Sequence, residues 1–271
     1  MPELPEVETY RRYFEETALG QTVVDLKAED PRRQLTLDYD TLLNALKGKQ
    51  FVGTHRIGKH FLVNLSSGNV LVLHFGMTGD LAYYRDEEDT PRFARVVFYF
   101  SNGFRLAFID SRKFGRIGIA ASIEEYQKKK ALGPDALDIT LPQLQASIEK
   151  RKAPIKPLLL DQKILAGIGN WIADEVLFQA KINPVKPANT LSDSELKHLH
   201  QAIQLVLQTA IEHEAIYQTF PKSFLIHARG WDDTVETTAA ERQICPRHGT
   251  PLEVAKVGGR TTYFCPICQP L

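Results

Sequence analysis

Three cysteines and a histidine stand in two pairs near the end of the chain: Cys245-Pro-Arg-His248 and, sixteen residues on, Cys265-Pro-Ile-Cys268. Two intervening residues let both side chains of a pair reach one ion, and tetrahedral zinc accepts thiolate sulfur and imidazole nitrogen alike. A shell of three sulfurs and one nitrogen with no open position points to one structural Zn2+, not a catalytic one. Three reduced cysteines beside a surface histidine are the bland alternative, and a redox C-x-x-C is disfavoured because no βαβ pattern surrounds it. Between the pairs, Pro251–Phe264 suits a two-stranded hairpin with Gly258-Gly259-Arg260-Thr261-Thr262 at its tip. There Arg260 can meet a phosphate or a base edge. Taken alone it also reads as an ordinary solvated turn residue.

A second constellation is Ala166-Gly167-Ile168-Gly169-Asn170, with Lys156 upstream. Two helices joined by such a turn can cradle a phosphate: glycines permit close approach, free amides open the next helix, and Asn170 and Lys156 add donors. Packing alone would explain the glycines equally well. Around it lie basic clusters. Arg92, Arg95, Arg105, Arg112, Lys113 and Arg116 face the single acid Asp110 in their stretch, and Lys128-Lys129-Lys130 and Lys150-Arg151-Lys152 add more. Local patches of this kind support duplex binding, although a charge run is usually a solvated face.

The elements that must position these groups change character along the chain. Leu4, Val7, Tyr10 and Phe14 recur at helical spacing within Glu3–Leu19, with Pro5 suited to a first turn. Short alternating runs follow at Phe51–Arg56, His60–Leu65, Val70–Phe75, Arg95–Phe100 and Phe104–Ile109, separated by Gly-, Asn- and Ser-rich turns, so the first half reads as an antiparallel β-sandwich or barrel. After Gly133-Pro134 the period is helical again, at Leu141–Arg151, Ile155–Leu160, Asn170–Ala180 and Asp193–Ala215, the last capped by Ser192 and Asp193. The segment Ser223–Leu271 has no room for a core of its own, which a metal remedies.

Composition bounds the answer without choosing it. The chain has 271 residues, with 33 Lys+Arg against 33 Asp+Glu, and is 43% hydrophobic and 24% charged. That is an ordinary globular composition of roughly two domains, and the neutral total says nothing about partners. Apolar runs such as Asn69–Phe75 fall far short of a membrane span of about 20 residues, and the acidic, proline-broken start is unlike a secretory signal. A cytosolic or nucleoid location is expected.

Pro2-Glu3-Leu4-Pro5-Glu6-Val7-Glu8-Thr9 at the start, Gly58-Lys59, His74-Phe75-Gly76-Met77-Thr78-Gly79, Asp110-Ser111-Arg112-Lys113-Phe114-Gly115, the Gly-Ile-Gly-Asn turn and the zinc hairpin with Arg260 occur in an order that closely resembles the bacterial formamidopyrimidine-DNA glycosylase family over nearly the whole chain. The resemblance implies an α+β protein: an N-terminal antiparallel β-sandwich with flanking helices (1–132), a helix-two-turns-helix module (133–222) and a zinc-finger β-hairpin (223–271). It implies a base-excision-repair enzyme, monomeric and bacterial, acting on damaged double-stranded DNA as glycosylase and abasic-site lyase.

Residue by residue, the resemblance assigns Pro2 as nucleophile, Glu3 as general acid/base, Glu6 as a second acid and Lys59 near the lesion's phosphate. Removal of Met1, which the small second residue permits, exposes Pro2 as a secondary amine, and an α-amino group titrates at about 7.7–8.0, so a neutral fraction exists near pH 7. Attack at C1′ yields a cationic iminium, the electron sink for β- and δ-elimination. Without the resemblance, Glu3 and Glu6 would equally be carboxylates favouring a helix N-terminus. Everting a base costs a few kcal/mol, and Met77, Arg112 and Phe114 match the family's inserted residues: Met77 in the vacated space, Arg112 toward the orphaned base and Phe114 wedged into the stack. His74, Lys156, Asn170 and Arg260 complete the expected DNA contacts.

Two departures stand out. His248 replaces the usual second cysteine of the zinc site, which makes metal affinity more acid-sensitive. Between Ala215 and Gly230 the family's long loop over the everted base is missing or severely shortened, and the acidic stretch Trp231–Glu241 is a conceivable substitute. An open pocket predicts weaker discrimination of 8-oxoguanine, with ring-opened purines and abasic sites retained. An endonuclease VIII-like enzyme for oxidised pyrimidines and a non-catalytic zinc-containing damage sensor are the competing readings.

Overall fold

The computed structural model describes residues 2–229 and 243–271; Met1 and the acidic stretch Trp231–Glu241 lie outside the described residues. The chain divides into two compact units, Met1–Pro2 with Glu6–Ala131, and Glu3–Pro5 with Leu132–Leu271.

In the first unit the strands form two four-stranded antiparallel sheets. One runs β1 (Val23–Ala28), β6 (Ala94–Phe100), β7 (Arg105–Asp110), β5 (Gly79–Tyr84); the other runs β2 (Phe51–Ile57), β3 (His60–Leu65), β4 (Val70–His74), β8 (Arg116–Ala120). Of these, β3, β4, β6 and β7 bury runs of three or four consecutive residues. Their core includes Phe51, Phe61, Phe75, Phe98 and Phe108, joined by Val7 and Phe14 of helix α1 (Leu4–Thr17). This is the expected antiparallel arrangement, with three strands and three helices that the pattern did not show. β1 buries only Val23 and Leu26, too few for an alternation to stand out. β5 begins on a glycine and carries Asp80, and β8, an edge strand beside β4, is only five residues long with Gly118 at its centre. Helices α2 (Pro31–Gln34), α3 (Tyr39–Leu46) and α4 (Ile123–Lys130) are short; α3 and α4 are started by Asp38 and Ser122 accepting from the third-residue amides Thr41 N and Glu125 N.

The second unit is built around α7 (Asn170–Ala180), of whose eleven residues nine are buried. Around it stand α5 (Leu141–Ile148), α6 (Ile155–Leu160) and α8 (Asp193–Glu212). A capping box between Ser192 and Glu195 starts α8. It stops short of Ala215 because Glu214 and Ala215 take φ of 53° and 57°, a left-handed turn that ends a right-handed helix. β9 (Glu253–Val257) and β10 (Arg260–Phe264) form the expected hairpin. Gly258 and Gly259 both have positive φ, 58° and 75°, as a two-residue loop of this hand requires, and a Cβ on Gly258 would lie 2.6 Å from Pro157 Cγ.

Candidate active site

At the start of α7 the first amides have no partner within the helix. Here Glu3 supplies one. Its Oε2 accepts from Gly169 N at 2.7 Å and Ile172 N at 3.3 Å, its Oε1 accepts from Trp171 N at 3.2 Å, and the side chain is 3% exposed. The positive end of the helix favours the carboxylate there. The glycines of Gly167-Ile168-Gly169 serve this approach: a Cβ on Gly169 would stand 2.1 Å from Glu3 Cδ, and one on Gly167, which has φ of 113°, would stand 2.5 Å from Leu4 Cδ1. The expectation that these amides await a phosphate is therefore corrected. The anion they hold is the protein's own.

Lys156 requires a second correction. Its side chain is fully buried, with Nζ 2.6 Å from Asp174 Oδ1 and donating to Thr262 Oγ1 at 2.7 Å and Thr261 O at 3.2 Å. Arg229 reaches the other Asp174 oxygen at 3.1 Å. Burial pushes the ammonium down and the carboxyl up, and the mutual attraction opposes both. A charge enclosed in this way joins α6 and α7 to the hairpin and does not face a phosphate. Asn170, half-buried, donates from Nδ2 to Thr261 O at 3.0 Å, while Arg260 at the hairpin tip is exposed.

Cys245, Cys265 and Cys268 are buried, and their sulfurs all lie within 4.8 Å of one another. Cys245 Sγ and Cys268 Sγ are 3.7 Å apart, close to the edge of about 3.8 Å that a tetrahedron with 2.3 Å zinc–sulfur arms has. Burial and then the neighbouring sulfurs push the Cys268 thiol up to about 12, so several thiolates share this space only with a cation among them. Three ligands for a metal ion are thus assembled. His248 is exposed and stands outside the group, a departure from the expected shell of three sulfurs and one nitrogen; after Cys245 the chain makes a tight turn, Gly249 N donating to Cys245 O and Cys245 N to Thr250 O. Arg247 fastens the same turn to α7, donating to Phe178 O at 2.9 Å and Gln179 Oε1 at 2.6 Å.

In the first unit, Pro2 and Glu6 are half-buried. Lys59 is buried in the two-residue loop joining β2 and β3, where Gly58 takes φ of 55°. His74 ends β4, and its Nδ1 accepts from Gly76 N at 3.2 Å. Burial, then the charges of Lys59, Lys130 and Arg116, push it down to about 4, so the ring is neutral near pH 7 and carries its proton on Nε2, a neutral donor. Neighbouring His60, 4.9 Å away ring to ring and 2.9 Å from Tyr126 OH, is pushed down to about 3 chiefly by burial. Nothing in the residue spacing had marked that pair. Met77 is 38% and Phe114 48% exposed, against the alternative that both belong to the core; Arg112 is exposed too, its guanidinium 5.2 Å from the Phe114 ring.

The comparisons with known proteins agree in extent and order. Residues 1–117 match the formamidopyrimidine-DNA glycosylase N-terminal domain and residues 131–221 the formamidopyrimidine-DNA glycosylase H2TH domain. The formamidopyrimidine-DNA glycosylase of Pelotomaculum thermopropionicum is 36% identical over 276 residues, covering 99% of each chain. The Lactococcus lactis enzyme bound non-covalently to DNA containing an abasic site superposes with a TM-score of 0.86 at 30% identity over all of both chains. The same enzyme with FAPY-dG-containing DNA gives 0.85 at 30% identity, over 99% of this chain and 100% of that one. The chain belongs to the formamidopyrimidine-DNA glycosylase family and is a DNA glycosylase of base excision repair.

Proposed function

We propose that this protein excises oxidised or ring-opened purines from duplex DNA and then cleaves the strand, with the nitrogen of Pro2, freed of Met1, as nucleophile. The observation that carries the reading is the placement of Glu3, the residue bonded to Pro2, as a buried carboxylate on three amides at the start of α7, those of Gly169, Trp171 and Ile172. In the reaction the Pro2 lone pair forms the N–C1′ bond while the glycosidic bond breaks and the base leaves with the electron pair and a proton. The C1′–O4′ bond then opens, O4′ taking a proton from Glu3, and the secondary amine becomes an iminium. Loss of the C2′ proton expels the 3′ phosphate, a second elimination expels the 5′ phosphate, and water releases the sugar fragment from Pro2. Glu6 serves as a second acid, and Lys59 and the neutral His74 as donors to phosphate. Met77, Arg112 and Phe114 occupy the opened stack, their exposure supporting that role.

Asn170 and Arg260 are contacts for the DNA backbone in this reading. A single Zn2+ bound through Cys245, Cys265 and Cys268 would stiffen the hairpin that presents Arg260; His248 reaches it after a side-chain rotation or leaves the fourth position to water. Between α8 and Arg229 the chain makes only two short turns, Tyr217–Thr219 and Leu225–Ala228, with Phe220 and Phe224 buried. That short, packed run supports weakened discrimination of 8-oxoguanine relative to a formamidopyrimidine lesion.

Borohydride trapping tests the chemistry: protein whose intact mass shows loss of Met1 must form a reduced adduct with abasic DNA through Pro2, and Pro2→Gly must form much less. An adduct mapped to a lysine refutes the assignment. Excision from duplexes carrying a formamidopyrimidine, 8-oxoguanine or an oxidised pyrimidine tests the substrate class. Equal or better excision of 8-oxoguanine opposite cytosine than of the formamidopyrimidine refutes the open-pocket reading.

A further inference from the structure

β7 ends at Asp110, and a turn through Gly115 leads into β8. Asp110 is fully buried. Its Oδ1 accepts from Thr78 Oγ1 at 2.6 Å and Arg112 N at 3.2 Å, and its Oδ2 accepts from Gly115 N at 2.6 Å. A single carboxylate thus closes the turn that carries Arg112 and Phe114 and ties it to the turn that carries Met77. The two turns also meet backbone to backbone. A Cβ on Gly76, which has φ of 61°, would lie 2.5 Å from Phe114 C and 2.6 Å from Gly115 N, and one on Gly115 would lie 2.5 Å from the Phe108 ring.

The turn is braced from its outer side as well. Arg95, nearly buried, donates from Nε to Asp110 O at 2.8 Å and pairs with Glu29, which also holds Lys113 Nζ at 3.2 Å. Lys113 has φ of 59°, a left-handed conformation that a side-chain-bearing residue keeps only where its surroundings over-determine it. Polar bonds, backbone contact and a strained residue all converge on the short stretch from which the exposed Met77, Arg112 and Phe114 project.

We propose that Asp110 is a positioning residue for duplex recognition, with Glu29 as its outer support: the two hold both insertion turns as one preset element, so that three side chains enter the stack without being ordered first. The proposal rests on the reading of Met77, Arg112 and Phe114 as the inserted residues. A carboxylate suits this place because all of its partners are donors; an amide would turn an NH2 group toward Gly115 N or Thr78. Presetting matters because side chains and loops ordered during association subtract from the binding energy available to open the helix.

The test compares two substrates of the full chain. Single-stranded DNA with an abasic site has no pair to open and no hole to fill, so its cleavage reports Pro2 chemistry; duplex DNA with a formamidopyrimidine opposite cytosine needs the insertion element. Asp110→Asn and Thr78→Val are each expected to lower duplex kcat/KM by about tenfold or more, with single-strand cleavage held within about twofold. A slower fluorescence rise of 2-aminopurine placed beside the lesion accompanies the loss. Unchanged duplex excision, or an equal fall on both substrates, overturns the proposal. If Asp110→Asn does not fold, Thr78→Val and Glu29→Gln decide on the same criteria, Glu29→Gln with the smaller effect. Met77→Ala and Phe114→Ala separate the two failures: if they too leave duplex excision intact, the insertion reading itself fails, whereas if they lose it while Asp110→Asn and Thr78→Val do not, only the positioning role falls.

Discussion

Replacing Lys156 with methionine keeps an unbranched side chain of similar length and removes only the ammonium. In the folded protein that ammonium is 2.6 Å from Asp174 with no solvent exposure on either side chain. Removing one partner of a buried ion pair costs about 3–5 kcal/mol, because the other charge stays buried without compensation. Arg229 remains 3.1 Å from Asp174 Oδ2, so the lower end applies, about 3 kcal/mol. At about 2–4 °C per kcal/mol for a chain of this size, the melting midpoint falls by about 6–12 °C. The informative comparison is with Arg260→Ala, which removes an exposed guanidinium from the hairpin tip. Each phosphate contact contributes about 0.9 to the slope of log affinity against log salt concentration. Arg260→Ala is therefore expected to lower the slope by about 0.9 without a change in melting, and Lys156→Met to lower the melting midpoint without a change in slope. Differential scanning fluorimetry and duplex binding at several salt concentrations measure both. A Lys156→Met protein that melts with the parent and loses about one contact from the slope would put that lysine on the DNA and refute the buried-pair argument.

Gly169→Ala places a methyl 2.1–2.6 Å from the Glu3 carboxyl group, so Glu3 must move; single-turnover excision is expected to fall by about a hundredfold, and a parental rate would show that Glu3 need not sit on α7. Glu175 is buried and accepts from Leu225 N and Ile226 N at 3.0 and 2.9 Å, and burial raises it from 4.5 to about 7. Since the folded state holds this proton more tightly than the unfolded chain, its contribution is complete below about pH 4.5 and is lost as pH rises through 7, amounting to about 3 kcal/mol. Melting of the parent should accordingly drop between pH 5 and pH 8 more than that of Glu175→Gln, whatever the amide costs at a fixed pH; parallel curves would contradict it. Chelation should release one equivalent of Zn2+ per chain and, like Cys265→Ser, weaken duplex binding, and full affinity in metal-free protein would rule out a structural metal.

What could be read from the residues divides along physical lines. Asn170–Ala180 and Ile155–Leu160 were legible because Gly169 and Pro154 mark where each begins and buried apolar residues recur along each. The sheets were legible in outline, since runs rich in aromatic and β-branched residues such as Phe51–Arg56, His60–Leu65 and Arg95–Phe100 are bounded by turn residues, but β1, β5 and β8 were not: Asp25 and Lys27 interrupt β1, Gly79 and Asp80 open β5, and Gly118 divides β8. The metal ligands announced themselves through spacing, yet spacing does not fix side-chain position, and His248 is exposed and outside the group that the three sulfurs form. Exposure of Met77 and Phe114 was likewise hidden, because a thioether or a phenyl ring in a β-rich region has the same composition whether it lies inside or outside.

The Gly167–Asn170 turn shows why a donor-rich motif does not name its acceptor. Its glycines, its free amides and Lys156 are what a phosphate would need, and each has another anion already: the amides hold Glu3 and the lysine holds Asp174. Both acceptors come from within the same unit. Glu3 lies 166 positions from Gly169, a separation at which no local pattern operates. The consequence for catalysis is specific. In the proposed reaction Glu3 gives a proton to O4′, and the amides it accepts from fix where that carboxyl group stands. The Gly169 methyl, by displacing the carboxylate from those amides, should therefore lower excision even well below the melting midpoint, where a substitution that merely loosened the fold would leave excision intact.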